Sequence, residues 1–405
     1  MLPDGRDFPY TLDEVERPEA RELAAGKSAP GAWATLLQKI PADLRAALIL
    51  FFAIRLPWMF LVGATRGFFP LAHGATGMPP LPGPEFARVW LGWDSGWYVN
   101  IILQGFTASH CGEAGGICQQ ASIAFLPAFP MSVRGLMQLG LSLPLASWLL
   151  NSVCLVLAIW GLRRLAFLKL GAEAPSNAAW ALLAFPSTLF FSAGYAEAMF
   201  AASSIWAMVF FTEERSLPAA LALAVGALCR PHGIVLVGCV VLFALLRKRL
   251  KLAGVIVLVT SVVFAAYLFW QYRTFDDALA FLHARKAWGS QKSAWVTFLD
   301  YWNRTSGSME FTMWQDFFGA ILIGLTAAWS FKKLGPEYGL FCLLLLALPL
   351  SQGQFWGMGR AVLGAFPVFL MLGSAPAPLR APLAFFGLSL ASIDAMLFIN
   401  GYFVA

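Results

Sequence analysis

Six charged side chains stand within or beside long apolar runs of this chain: Arg55, Asp94, Glu197, Arg230, Arg360 and Asp394. Charge in or near hydrocarbon is costly, so each position defaults to a functional hypothesis. Asp94 lies in "WLGWDSGWYVNIILQGF", residues 90–106, among Trp90, Trp93, Trp97 and Tyr98. A carboxylate held near a lipid surface can take a proton from a hydroxyl group. Asp before Ser-Gly-Trp-Tyr is also a helix start signal, so a capping role stands beside the chemical one. Glu197 follows Tyr195 in "FFSAGYAEAMF". It reads either as an interfacial acid facing water or as a partner for a sugar hydroxyl or an arginine. Arg230 precedes Pro231 and His232 in "ALCRPHGIVLV". Proline there breaks the helix, and the planar guanidinium fork matches phosphate oxygens. Arg360, in "FWGMGRAVLGAFP", has glycines beside it that allow close approach. Two arginines on one face suggest a phosphate held near the headgroups, with snorkelling towards lipid phosphates as the alternative. Arg55 and Asp394 read as structural, paired within the bundle.

The elements that must carry these residues are transmembrane helices. The chain is 59% hydrophobic and 12% charged, with mean hydropathy +0.69, against about 25% charged residues in an ordinary soluble domain. Apolar runs recur near the roughly 20 residues that cross a bilayer. Helices satisfy their own backbone in lipid, and the runs are continuous rather than alternating. This is an all-α polytopic membrane protein with eleven expected spans: 46–64, 143–162, 178–194, 198–212, 218–230, 232–246, 252–270, 313–330, 337–351, 360–373 and 381–400. Residues 1–44 are polar and read as a cytoplasmic tail, with 45–405 as one transmembrane domain. Placing the basic clusters, such as "RKRLK" at 247–251, inside follows the positive-inside rule. It leaves a first outer loop at 65–142 and a second at 271–312, the latter carrying Lys286, Trp288 and Trp295. The stretch 122–140 is apolar but interrupted by Pro127, Pro130 and Arg134, and reads as an interfacial helix. Trp90, Trp93 and Trp97 read as anchors that fix depth at the interface.

Other classes find little support. Cys111 and Cys118 flank a polar loop and form a disulfide if that loop faces an oxidising compartment, or remain free thiols. Cys154, Cys229, Cys239 and Cys342 fall in apolar runs as packing residues. The four histidines stand apart, and no metal, nucleotide or dinucleotide motif is present. The net charge of +6 needs no nucleic acid to explain it. No cofactor is expected, and the chain is read as a monomer. A transporter or flippase explains buried charge and broken helices, but it would place polar sites near the midplane and show internal symmetry.

Five stretches together resemble PIG-V-type mannosyltransferases, the family of GPI mannosyltransferase 2 and related bacterial proteins. They are "WDSGWYVNIILQGF", "FLPAFP", "FPSTLFFSAGYAEAMF", "ALCRPHG" and "GRAVLGAFPVFLML", in the family's order between about residues 90 and 373. "YAEA" departs from the usual Y-S-E-S, and Ala361 stands where an aromatic is usual. The resemblance implies a GT-C glycosyltransferase fold in a bacterial inner membrane, with the active site facing the periplasm. It implies transfer of a hexose, mannose above all, from a polyprenyl-phosphate donor to a lipid or glycan hydroxyl, with inversion. Asp94 matches the family's base. Arg230 and Arg360 would hold the donor phosphate. Trp93, Trp97, Tyr98, Tyr195, Glu197, His232, Lys286 and Trp288 would contact sugar or acceptor. No metal is required, because the leaving phosphate's charge is already paired.

Overall fold

A computed structural model describes residues 40–72, 81–108, 120–288, 292–303 and 310–404. The tail 1–39 and the pair Cys111 and Cys118 lie outside the described residues. The described chain is helical throughout, as the continuous apolar runs require.

Four helices are long and apolar enough to cross a membrane: Ala42–Gly63, Leu143–Leu170, Leu250–Phe275 and Ala377–Ile399. Helix Glu310–Lys333 adds a fifth long rod of 24 residues. The outward faces carry bare hydrocarbon side chains, such as Leu258, Val262 and Phe269 on one helix and Phe385 and Phe386 on another. Such a surface is stable in lipid and not in water.

Four further apolar helices are shorter: Glu197–Thr212, Ser216–Cys229, Pro231–Leu246 and Pro336–Ser351. At 1.5 Å per residue each reaches only about 21–24 Å, short of the roughly 30 Å hydrocarbon core. Two of the eleven expected spans are not single helices. Residues 178–194 divide between helix Ala174–Leu183 and the 3-10 turn Pro186–Phe191. Residues 360–373 divide between Met358–Ala361 and Pro367–Gly373. Pro186 and Pro367 begin the second pieces, where a proline's missing amide costs least. The stretch 122–140 does not span. It folds as the turn Ser122–Ala124 and helix Ala128–Gln138, about 16 Å long.

Short helices converge on one end of the bundle. Ser216–Cys229 and Pro231–Leu246 form a tight hairpin with Arg230 at its tip, extended at φ −149°, ψ 149°. Gly233 makes the turn possible: a Cβ there would lie 2.1 Å from the Gly226 carbonyl oxygen. Helix Glu197–Thr212 starts at the same end and runs about 24 Å to the other. There a second set of ion pairs gathers: Arg164–Glu213 at 2.9 Å, Arg249–Glu214 at 2.8 Å, Arg247–Glu337 at 2.6 Å and Arg163–Asp43 at 3.2 Å. The basic clusters of the sequence thus lie at the end away from Arg230 and Asp94.

Two expectations are corrected by packing. Arg55 and Asp394 do not pair. Arg55, buried in a π-helical turn Phe51–Arg55, donates to the Thr188 carbonyl and to Ser192 Oγ, both at 2.6 Å, and lies 4.2 Å over the Trp58 ring. Asp394 accepts from Gln315 Nε2 at 2.9 and 3.0 Å. Each group finds neutral hydrogen-bond partners in place of the other ion. Trp90 is not an interfacial anchor either: it is fully buried against Trp58. Trp97 is half-buried and stacks on Phe125.

Candidate active site

The turn bearing Asp94 is unusual. Trp93 adopts a left-handed backbone, φ 54°, which a bulky residue holds only where its surroundings enforce it. Its indole N–H donates to the Tyr402 carbonyl at 2.9 Å, and its ring meets Phe403 edge-on with centroids 5.1 Å apart. Ser95, fully buried, closes the turn: its hydroxyl accepts from the Gly92 amide at 2.7 Å. Asp94 occupies the N-cap position of helix Ser95–Gln104 but makes no capping hydrogen bond. Of the two local readings, the side chain follows the non-capping one. It turns away from its own helix to Arg360.

From there charge alternates. Arg360 Nη1 donates to Asp94 Oδ2 at 3.0 Å, and Arg360 Nε lies 3.4 Å from Glu197 Oε1. The same Glu197 oxygen accepts from Arg230 Nη1 at 2.5 Å. Glu197 is only 4% exposed, and a carboxylate so placed needs its partners. Beneath Arg360 lie the rings of Phe190 and Tyr195, each with its centroid 5.4 Å from the guanidinium carbon, an arrangement that adds cation–π attraction.

Other residues set this geometry. Asp316, buried on helix Glu310–Lys333, accepts from the amides of Gly357 and Gly359 at 3.0 and 2.8 Å. Ser187 donates to the Gly359 carbonyl at 2.8 Å. The segment carrying Arg360 is therefore clamped on both sides. Asn151 donates to the carbonyls of Ala193 and Tyr195, and the Tyr195 hydroxyl donates to the Gly92 carbonyl at 3.1 Å. These bonds tie the segment before Glu197 to the turn before Asp94.

The groups line one cavity of about 390 Å³. Trp93, Asp94, Tyr98, Tyr195, Glu197, Arg230, His232 and Arg360 all face it, which gathers eight of the expected site residues. Burial, with Glu197 nearby, raises the Tyr98 phenol above its ordinary value, so it serves as a neutral hydroxyl. Tyr195 is buried and its hydroxyl is spent on Gly92, which makes it scaffold as much as lining. Trp97 is not part of the wall. Lys286 is exposed in the turn Arg285–Trp288 and does not line the cavity. The backbone of Trp288 belongs to that turn, while its side chain lies outside what is described.

Sequence reasoning missed Arg285, which does line the cavity. Burial, with Arg230 facing it, lowers its guanidinium below the ordinary value. Among the described residues Arg285 has no carboxylate partner, whereas Arg230 and Arg360 both do. Its signal was a charge in an outer loop, where charges are common and single out nothing. Asp316 was also missed. It did carry a readable signal, an acid inside the apolar run 313–330.

Three guanidinium groups thus face two carboxylates in one cavity. The lining fits a ligand with one net negative charge, and Asp94, 42% exposed at its side chain, is open to a hydroxyl. Among the described residues no group of acids, histidines and cysteines is placed to hold a metal ion.

These features define an all-helical integral membrane protein with the GT-C fold. One solved structure it overlays is ArnT from Cupriavidus metallidurans bound to undecaprenyl phosphate, with TM-score 0.52 and 17% identity over 86% of this chain and 63% of that one. The chain thus spans less than two thirds of that relative's length. Two structures of the Archaeoglobus fulgidus oligosaccharyltransferase also match. The complex with zinc and sulfate gives TM-score 0.44, 14% identity and coverage of 86% and 53%. The complex with an inhibitory peptide and a dolichol-phosphate gives 0.43, 13%, 88% and 57%. No family model matches the chain, and no curated protein matches it by sequence.

Proposed function

We propose that this protein is a membrane glycosyltransferase of the PIG-V-like type, moving a hexose, mannose in the first instance, from a polyprenyl-phosphate sugar to an acceptor hydroxyl at the extracytoplasmic face. The observation that carries the reading is the convergence of Asp94, Glu197, Arg230 and Arg360 in one cavity. These residues come from four of the five stretches that resemble the family. The ArnT structure, at TM-score 0.52, holds undecaprenyl phosphate, a ligand of the same chemical class as the donor proposed here.

The charges balance along the reaction. A polyprenyl-phosphate sugar is a phosphodiester with one negative charge, matching the single excess guanidinium of the cavity. The acceptor O–H gives its proton to the Asp94 carboxylate. The acceptor oxygen bonds to sugar C1, and the C1–O bond to phosphate breaks with its electron pair leaving on the phosphate. The product phosphate gains a negative charge as Asp94 loses one, so the site stays neutral overall. Arg230, Arg360 and Arg285 stabilise the charge where it develops. Displacement by attack on the face opposite the leaving phosphate inverts the anomeric centre.

The test is direct. Purified protein in nanodiscs is incubated with radiolabelled polyprenyl-phosphate mannose and a membrane extract. Label should move to a new product, and Asp94→Asn should stop it. A donor that is carried across vesicle membranes without chemical change would instead establish the transporter reading.

A further inference from the structure

The cavity wall has a second part that the transfer chemistry above does not use. Trp93, Trp356 and Phe403 all line it, with 36%, 44% and 39% of their surfaces exposed. Gln352 and Gln354 line it too. Large rings left this open beside a cavity are not core residues. They offer flat apolar faces to the cavity. The segment bearing Phe403 is fixed: the Tyr402 amide donates to Leu397 O at 2.9 Å and its hydroxyl to Pro70 O at 3.0 Å. Together with the Trp93 bond to Tyr402 O, this sets ring faces in place next to Asp94, the residue immediately after Trp93.

Aromatic faces with amides beside them suit a pyranose ring. Its C–H face packs on the π-system, and its hydroxyls exchange hydrogen bonds with amides. Charge excludes the alternatives. Among the described residues, the charged side chains of the wall are the two carboxylates and three arginines. Once a donor phosphodiester is bound, no net charge is left to attract a second ion. An anionic acceptor would be repelled by the donor phosphate, and a sugarless alcohol would offer nothing to the Gln352 amide.

We infer that Trp93, Trp356, Phe403 and Gln352 form the acceptor subsite, and that the acceptor is an uncharged glycan. The inference rests on the proposed transferase reading for its name, but the subsite can be tested without turnover. Saturation-transfer NMR with a neutral octyl mannoside and the full chain in nanodiscs should show transfer to the pyranose C–H protons. Phe403→Ala and Trp356→Ala should each weaken the signal several-fold, while Phe403→Tyr keeps it. Absence of transfer, or a signal that ignores the aromatic variants, overturns the subsite whatever the fate of the transferase reading. With radiolabelled polyprenyl-phosphate mannose as donor, the same two alanine variants should raise acceptor KM about tenfold and leave donor KM within twofold. Preference for a mannoside phosphate or for plain octanol as acceptor overturns the class assigned. If the wild type binds the mannoside and neither binds nor turns over the donor, the transferase reading fails and the saccharide site stands.

Discussion

Arg360 donates to the Asp94 carboxylate at 3.0 Å across a separation of 266 residues. The pair joins the turn held by Trp93 and Ser95 to the clamp built on Asp316. Asp94 is oriented by this bond and remains open to the cavity. Replacing it with asparagine keeps the shape and an acceptor oxygen for Arg360 but removes the base. Asp94→Asn should lower the transfer rate by roughly 10²–10⁴-fold with donor affinity retained. Single-turnover assays beside a donor-binding measurement check this, and wild-type-like turnover would remove Asp94 from the chemistry.

Arg285 and Arg230 should behave differently although both face the same cavity. Arg230→Ala leaves Glu197 with one partner fewer in a buried site, so stability should fall along with donor affinity. Arg285→Ala strands no carboxylate. It should weaken polyprenyl-phosphate binding by about 10- to 100-fold, the loss of one charge-assisted hydrogen bond, with the thermal midpoint unchanged. Equal destabilisation by both variants would assign Arg285 a structural role.

Asp316 acts through the backbone of Gly357 and Gly359. Asp316→Ala removes the acceptor for two amides, each costing about 1–3 kcal/mol when left buried and unpaired. Arg360 should lose its fixed position, so kcat should fall and donor KM should rise, and Asp316→Asn should recover part of the loss. A variant whose kcat matches the wild type would show that the clamp is dispensable.

The outer loop has a pH-sensitive brace. Slight burial works to raise Asp277, but hydrogen bonds from His283 and the Leu279 amide prevail and hold it below its ordinary value. A depressed carboxylate lends stability above its unfolded value, near about pH 4, and loses it as pH falls through the folded value. Below about pH 4 the segment 277–285, which carries Arg285, should exchange amide hydrogens faster. Asp277→Asn should show fast exchange already at neutral pH. Identical exchange in both proteins would dismiss the brace.

How much of this was legible beforehand depends on range. Asp94, Glu197, Arg230 and Arg360 stood out because ions in apolar runs are rare, a local property. Pro231 announced the helix break at Arg230 for the same reason. Which ion meets which is set by packing between distant helices, so the pairing of Arg55 with Asp394 was misjudged. Sequence offers no sign that Thr188 O and Ser192 receive the Arg55 guanidinium. The breaks at Pro186 and Pro367 were hidden because apolar composition reads alike in a straight span and a folded one. Arg285 escaped because its burial is created by the loop's docking, not by its neighbours in the chain.

Alternating charge from Asp94 through Arg230 leaves neither Arg230 nor Arg360 bare, with Arg285 the cavity's one cation that has no carboxylate partner among the described residues. An incoming anion that settles on Arg285 must compete for Arg230 and Arg360 with acids already seated on them. Chloride or inorganic phosphate gains little from such an exchange, whereas a carrier that also brings a long hydrocarbon chain gains from the surrounding lipid. The acids thereby act as a selectivity threshold, set from within the site. Glu197→Gln should lower that threshold, so that inorganic phosphate inhibits the variant several-fold more strongly than the wild type; equal inhibition constants would show that Glu197 guards nothing.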